Sequence, residues 1–161
     1  MKTKNIALFV VTIVLLAIQS IAYCDSGLSY AETVRLIKTT MVDNPSDFRK
    51  ESYGTVKLDK CSLEYSVAGT YPVGDLYNIK FSNIDFSSLD PQAATTGNDY
   101  TPFIILGFND YFTTRDGYQE LKLRTLVVNL SSEEKAAVLF KAFLHLGELC
   151  RGGGVAVAHN P

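Results

Sequence analysis

The apolar residues of this chain change their spacing twice, and those two changes bound what it can fold into. From Tyr53 to Leu130 apolar positions recur at every second residue in short runs, the period of strands with one buried face. On either side the period is helical. Ala31, Val34, Ile37 and Met41 line one face of a segment that opens on Ser29-Tyr30-Ala31-Glu32, a capping box, and stops at Asp43-Asn44-Pro45. A second box, Ser131-Ser132-Glu133-Glu134, opens a bulkier helix. Its stripe is Ala136, Phe140, Phe143, Gly147 and Cys150, widened by Leu139 and Leu146. Strands grouped between two helices imply an α+β fold: a small bent antiparallel β-sheet or partly open barrel, with a C-terminal amphipathic helix buried against it and an additional N-terminal helix.

Within the strand region the alternation slips. Val56 and Leu58 share one face, whereas Cys61, Leu63, Tyr65 and Val67 follow in the opposite phase, which predicts a bulge or sharp bend at Asp59-Lys60. Gly69 to Asp75 contains Pro72 and Gly74 and reads as a turn. Tyr77, Ile79 and Phe81 alternate before another slip to Ile84 and Phe86. Gln92 to Asp99 is polar and small, which predicts the longest surface loop. Phe103 to Leu106 is apolar on consecutive residues, as in a strand covered on both faces. Asp116-Gly117 is the clearest hairpin signal. It joins a strand ending near Thr114 to a long strand from Tyr118 to Leu130, where Leu121, Leu123, Thr125 and Val127 are expected to form one face.

Lys2 and Lys4, the apolar run Ile6 to Ala17 and the small-residue exit Ser20-Ile21-Ala22 have the order of a secretory leader. The expected organisation is a signal peptide over 1–22, a linker over 23–28, a single α+β domain over 29–151 and a Gly-rich disordered tail over 152–161. A retained anchor is the alternative. Asp25 follows the apolar run and no Lys or Arg appears before Arg35, unlike the basic flank of a stop-transfer helix. Cys24 lies where a lipidated cysteine would, but Tyr23 before it is not the small residue that such a motif carries.

Loss of Lys2 and Lys4 would leave thirteen basic against seventeen acidic residues, a net charge of −4. Nucleic acid is therefore not an expected partner, and membrane contact is expected only if the leader is retained or Cys24 is lipidated. Cys24, Cys61 and Cys150 are too far apart in sequence for a CxxC pair. Cys61, on a strand, and Cys150, on the last helical turn, both fall on apolar faces, so a disulfide between them is favoured. It would close a loop of about 90 residues and contribute roughly 4 kcal/mol. Two buried free thiols are the alternative.

The element order resembles a pleckstrin-homology-like barrel, in which a terminal helix plugs one open end of a bent sheet. The resemblance covers Tyr53 to Cys150 and extends to small secreted bacterial proteins of that shape. The chain has no Trp, and Gly69 to Asp75 carries no Lys or Arg, so phosphoinositide binding is not implied.

No HExxH, GxSxG, phosphate-loop or dinucleotide glycine pattern occurs, and neither a cofactor, a metal nor a catalytic set is expected. His145 sits on the polar face of the last helix and reads as a solvated histidine; Asn129-Leu130-Ser131 is a formal glycosylation sequon. Nine tyrosines are the one compositional oddity. Tyr71, Tyr100, Tyr111 and Tyr118 lie near loops and are the candidate binding residues. These features point to a secreted or periplasmic, non-enzymatic module that binds an extracytoplasmic protein or glycan through Gly69 to Asp75 and Gln92 to Thr101. The alternatives are a small extracytoplasmic hydrolase acting through Glu64 or Asp110, and an envelope-anchored structural protein.

Overall fold

A computed structural model describes residues 27–48, 50–71 and 74–152. The expected leader, Cys24 and the tail from residue 153 lie outside the described residues. Helix α1 (Tyr30–Asp43) starts at its capping box: the Ser29 side chain accepts from the Glu32 N–H, and the Glu32 carboxylate accepts from the Ser29 N–H at 2.9 Å. Its buried positions are Thr33, Ile37, Thr40 and Met41, so the docked face is turned away from Ala31, which is exposed. Thr33 tolerates burial because its hydroxyl donates to Ser29 O at 3.0 Å.

Six strands follow: β1 (Ser52–Asp59), β2 (Ser62–Thr70), β3 (Leu76–Asp85), β4 (Leu89–Asn98), β5 (Pro102–Asp116) and β6 (Gln119–Asn129), with a short 3-10 turn Phe86–Ser88 between β3 and β4. Every pairing is antiparallel, in the order β1-β2-β3-β5-β4 with β6 on β5. Strand β5 organises the sheet. One of its edges holds β6 along its length, while the other holds β4 near Pro102–Phe108 and β3 at Thr113–Asp116. The protein is thus α+β with an open, bent sheet, as its periodicity implies.

Three local expectations change. Asp59-Lys60 is not a bulge within one strand but the start of a tight turn between β1 and β2, with Lys60 at φ 51°, and Cys61 sits in that turn. Gln92 to Asn98 is not a loop. Its Thr95, Thr96 and Gly97 pair with Ile105, Ile104 and Phe103, and the extra residues from Pro91 bulge out where proline's missing N–H does no harm. A Cβ on Gly97 would lie 2.4 Å from the Phe103 ring, so only glycine lets that ring cross the strand. In the hairpin, Asp116 pairs with Gln119, which makes Gly117 the first of two loop residues, at φ 56°.

Helix α2 (Glu133–Arg151) is capped by Ser132, whose hydroxyl accepts from Lys135 N, one residue later than the second box predicts. It buries Ala136, Leu139, Ala142, Phe143, Leu146 and Gly147 and packs on the 3-10 turn, β4 and β5, while α1 packs on β1 and α2. A run of rings crosses the core, Tyr53, Tyr65, Phe81, Phe112, Phe108, Phe86 and Phe143, each centroid within 6.4 Å of the next. His145 is half-buried rather than solvated. Its Nε2 donates to Leu28 O at 2.9 Å, tying α2 to the approach to α1.

Cys61 and Cys150 form the disulfide, with Cα atoms 5.8 Å apart and a sequence separation of 89. It ties the β1–β2 turn to the end of α2, and the Tyr30 hydroxyl donates to Lys60 O in the same turn. Cys61→Ser is expected to lower unfolding free energy by about 4 kcal/mol, through the freedom returned to the unfolded chain. Urea midpoints with and without reductant check this: the wild type should shift on reduction, the variant should not.

Candidate functional site

A strand at the edge of a sheet leaves N–H and C=O groups without partners, and an open sheet has two such edges. Here the start of β1 meets the end of β6. The Tyr53 hydroxyl donates to Asn129 O at 2.9 Å and accepts from Asn129 N at 3.0 Å. One phenol therefore takes the place of a strand partner. Beside it the Glu51 carboxylate, 8 % exposed, accepts from Tyr77 Oη at 2.7 Å and from Asn129 Nδ2 at 3.0 Å. Tyr77 pairs with Gly69, and Glu51 directly precedes the Ser52–Ala68 pair, so the side-chain-free Gly69 separates the two groups across the sheet. Ser46, Thr101 and Leu130 extend the closed end through Ser46 Oγ–Thr101 Oγ1 at 2.8 Å and Thr101 Oγ1 donating to Leu130 O at 3.0 Å.

This latch has the hallmarks of a structural element. Glu51 Oε1 and the Tyr53 hydroxyl face partners from other segments, and Glu51 Oε2 faces the Tyr53 hydroxyl at 3.5 Å, which offsets the cost of burying them. Tyr65 differs: its ring packs on those of Tyr53 and Phe81, and its buried hydroxyl has no hydrogen-bond partner. Burial, and then the charge of Glu51, push the Tyr53 phenol well above its ordinary value of 10.0; burial does the same for Tyr65.

The hairpin end of β6, away from Asn129, is open. Tyr65, Phe81, Thr114 and Leu121 stand opposite one another in one row across β2, β3, β5 and β6. Directly opposed residues share a face. The row runs from fully buried Tyr65 to Leu121, which is 58 % exposed. Phe112 and Leu123 form the next pair. Where the β2–β3 turn meets the β5–β6 hairpin, Tyr71 Oη donates to Asp116 Oδ2 at 3.2 Å, and its ring lies against Tyr77. Leu76, 84 % exposed, and Tyr118, fully exposed, complete this end.

The four candidate tyrosines do not form one site. Tyr71 and Tyr118 belong to the open end, whereas Tyr100 stacks on Phe48 at 5.6 Å and Tyr111 lies beneath Arg124, 4.2 Å from the ring centroid. The expected single face Leu121, Leu123, Thr125 and Val127 is split: the first two oppose buried Thr114 and Phe112, the last two oppose Gly107 and Ile105 across an irregularity in β5. The buried positions of β6 are Leu126 and Val128. Glu64 stands opposite Lys57, and Asp110 is exposed in that irregularity. The sequon Asn129 is held inside the latch. Glu51 and Tyr77 were not legible as partners in the sequence; the charged Glu51 between Lys50 and Ser52 carries the pattern of a surface loop.

Among the described residues no group of His, Cys, Asp and Glu is placed to hold a metal ion, and no helix is long and apolar enough to cross a membrane. No family model, curated protein or solved structure matches this chain.

Two substitutions of the same type should act in opposite directions. Tyr53→Phe strands the Asn129 N–H and C=O, for a loss of about 1–3 kcal/mol, whereas Tyr65→Phe removes an unpaired buried hydroxyl and should be neutral or stabilising. Paired urea titrations read both.

The raised phenols also set an alkaline limit. In the unfolded chain tyrosine ionises near pH 10, so above that pH the unfolded state binds fewer protons than the native one and stability falls as pH rises. Below pH 10 this contribution is fully present. In a stopped-flow pH jump, tyrosinate absorbance from Tyr53 and Tyr65 should appear only at the rate of unfolding, behind the signal of the exposed tyrosines.

Proposed function

We propose that this is an exported binding module that engages an extracytoplasmic protein through the open end of its sheet. The observation that carries the reading is the exposure of Leu76 and Tyr118 at two adjoining turns, held together by the Tyr71–Asp116 hydrogen bond. Exposed aliphatic and aromatic side chains on a braced support give contact area at little cost in ordering. Of the two contact regions that the sequence nominates, Gly69 to Asp75 leads directly into Leu76, while in Gln92 to Thr101 the residues Thr95 to Asn98 are occupied in pairing with β5. The aliphatic Leu76 favours a protein over a glycan, whose rings stack on aromatic faces. The Cys61–Cys150 disulfide fits an oxidising compartment. A pleckstrin-homology-like barrel remains the architecture to which we assign it, on the order of its elements.

A photo-crosslinking residue placed at position 76 or 118, in protein exported by its host, is expected to yield an adduct with one discrete extracytoplasmic protein. The same residue at Lys38 or Lys141, on the helices, should yield none. Equal labelling from all four positions, or a glycan adduct alone, overturns the reading. Leu76→Ser and Tyr118→Ser should abolish the adduct formed from the other position while shifting stability by less than about 0.5 kcal/mol, as at exposed sites generally.

A further inference from the structure

Among the described residues β6 pairs only with β5, which leaves the outer edge of Gln119 to Arg124 without a strand partner. The hairpin geometry determines which groups face outward. Asp116 and Gln119 close a two-residue loop and so exchange hydrogen bonds; the alternation then directs Leu121 and Leu123 backbone groups toward β5, and those of Glu120 and Lys122 away from it. Both outward-directed residues are charged, with opposite signs, and both are exposed. Between them stands Leu121, 58 % exposed.

We propose that β6 pairs edge to edge with β6 of a second copy, antiparallel about a two-fold axis through Leu121. In this register Glu120 of each copy lies opposite Lys122 of the other, in pairs that exchange backbone hydrogen bonds. Leu121 meets Leu121 of the second copy across the axis, and Gln119 lies opposite Leu123. Of the neighbouring registers, an axis through Glu120 opposes two glutamates and one through Leu123 sets Lys122 against Arg124, while one through Lys122 opposes two lysines at its centre and moves the partner of Glu120 to Arg124, opposite the irregularity in β5 where the regular stretch ends. Charges that protect an edge strand from indiscriminate pairing thus select one partner and one alignment. Arg115, 2.7 Å from Glu120 within the same hairpin, keeps the carboxylate in place without burying it. The irregularity opposite Arg124 ends the regular stretch, and the Tyr53 latch occupies the edge at Asn129, so the pairing is confined to the hairpin end of β6. A two-fold contact closes on itself and produces a dimer rather than a fibre. This proposal does not depend on the binding function assigned to Leu76 and Tyr118.

The test is native mass spectrometry and light scattering on exported protein. The wild type should be dimeric. Glu120→Lys and Lys122→Glu should each weaken dimerisation about tenfold or more, because each sets like charges opposite one another twice. Mixing the two single variants should restore a dimer containing one copy of each, since at these two positions one copy then carries only lysines and the other only glutamates; the double exchange E120K/K122E should restore the homodimer. Circular dichroism checks that all are folded. A monomeric wild type, single variants that dimerise normally, or a mixture without the mixed dimer overturns the proposal. The dimer also brings position 118 near Arg124 of the second copy, so an adduct of the chain with itself reports this contact, and only an adduct with a different protein reports the binding function.

Discussion

The single hydroxyl of Tyr53 carries the constraint around which this fold is built. A six-stranded sheet that curls without closing must satisfy or expose the backbone of its last strand, and every unpaired group that becomes buried costs on the order of 1–3 kcal/mol. At Asn129 both groups are satisfied by one side chain from the first strand. Glu51 secures the arrangement by accepting from Tyr77 and from the Asn129 side chain. The closed end is thereby polar and well connected, and the remaining length of β6 is left as an edge.

Curvature explains why the last residues of β6 can close on β1 while its hairpin end stays open. The β1–β2, β2–β3, β4–β5 and β5–β6 ladders all contain a register break. Two of the breaks lie beside residues of positive φ, Thr55 at 50° in β1 and Asn83 at 60° in β3. Asparagine is among the residues that accept this conformation readily, whereas for β-branched Thr55 it is strained, so the bend in β1 is imposed by the sheet rather than chosen locally. Bulges of this kind increase twist and re-aim side chains. Helix α2 fills the curved inner face beside β4 and β5, and the disulfide holds its last turn to the β1–β2 turn. The inner face beyond the helix is where Leu121 and Leu123 emerge.

Two kinds of surface follow from that geometry. The adjoining turns present side chains, Leu76 and Tyr118, while the edge of β6 presents backbone flanked by Glu120 and Lys122. The first suits a partner that offers a complementary pocket, the second a partner that offers a strand. Both arise from leaving the sheet open, and a closed barrel of the same strands would have neither the edge nor the emergent leucines.

Signals confined to a few neighbouring residues were determined by the sequence alone. The Ser29–Glu32 box, the helical stripe of Ala136 to Cys150 and the Asp116-Gly117 turn each act over one or two turns of chain, where local sterics and hydrogen bonding dominate. The Cys61–Cys150 pair was legible because apolar periodicity runs through both cysteines, although Cys61 itself sits in the turn before β2. What required the tertiary structure were the outcomes settled by partners distant in sequence. Gln92 to Asn98 lacks any apolar alternation and becomes a strand only because β5 offers it a ladder. Leu121 to Val127 alternates as a buried face would, yet an irregularity in β5 divides it: Leu121 and Leu123 stay on the inner face but emerge beyond the helix, and Thr125 and Val127 fall on the other face. Glu51, Tyr53, Tyr77 and Asn129 meet across 26 to 78 residues of chain, and no local preference encodes that meeting. Strand pairing supplies hydrogen bonds to whichever backbone arrives, so the choice of neighbour rests with the packed whole.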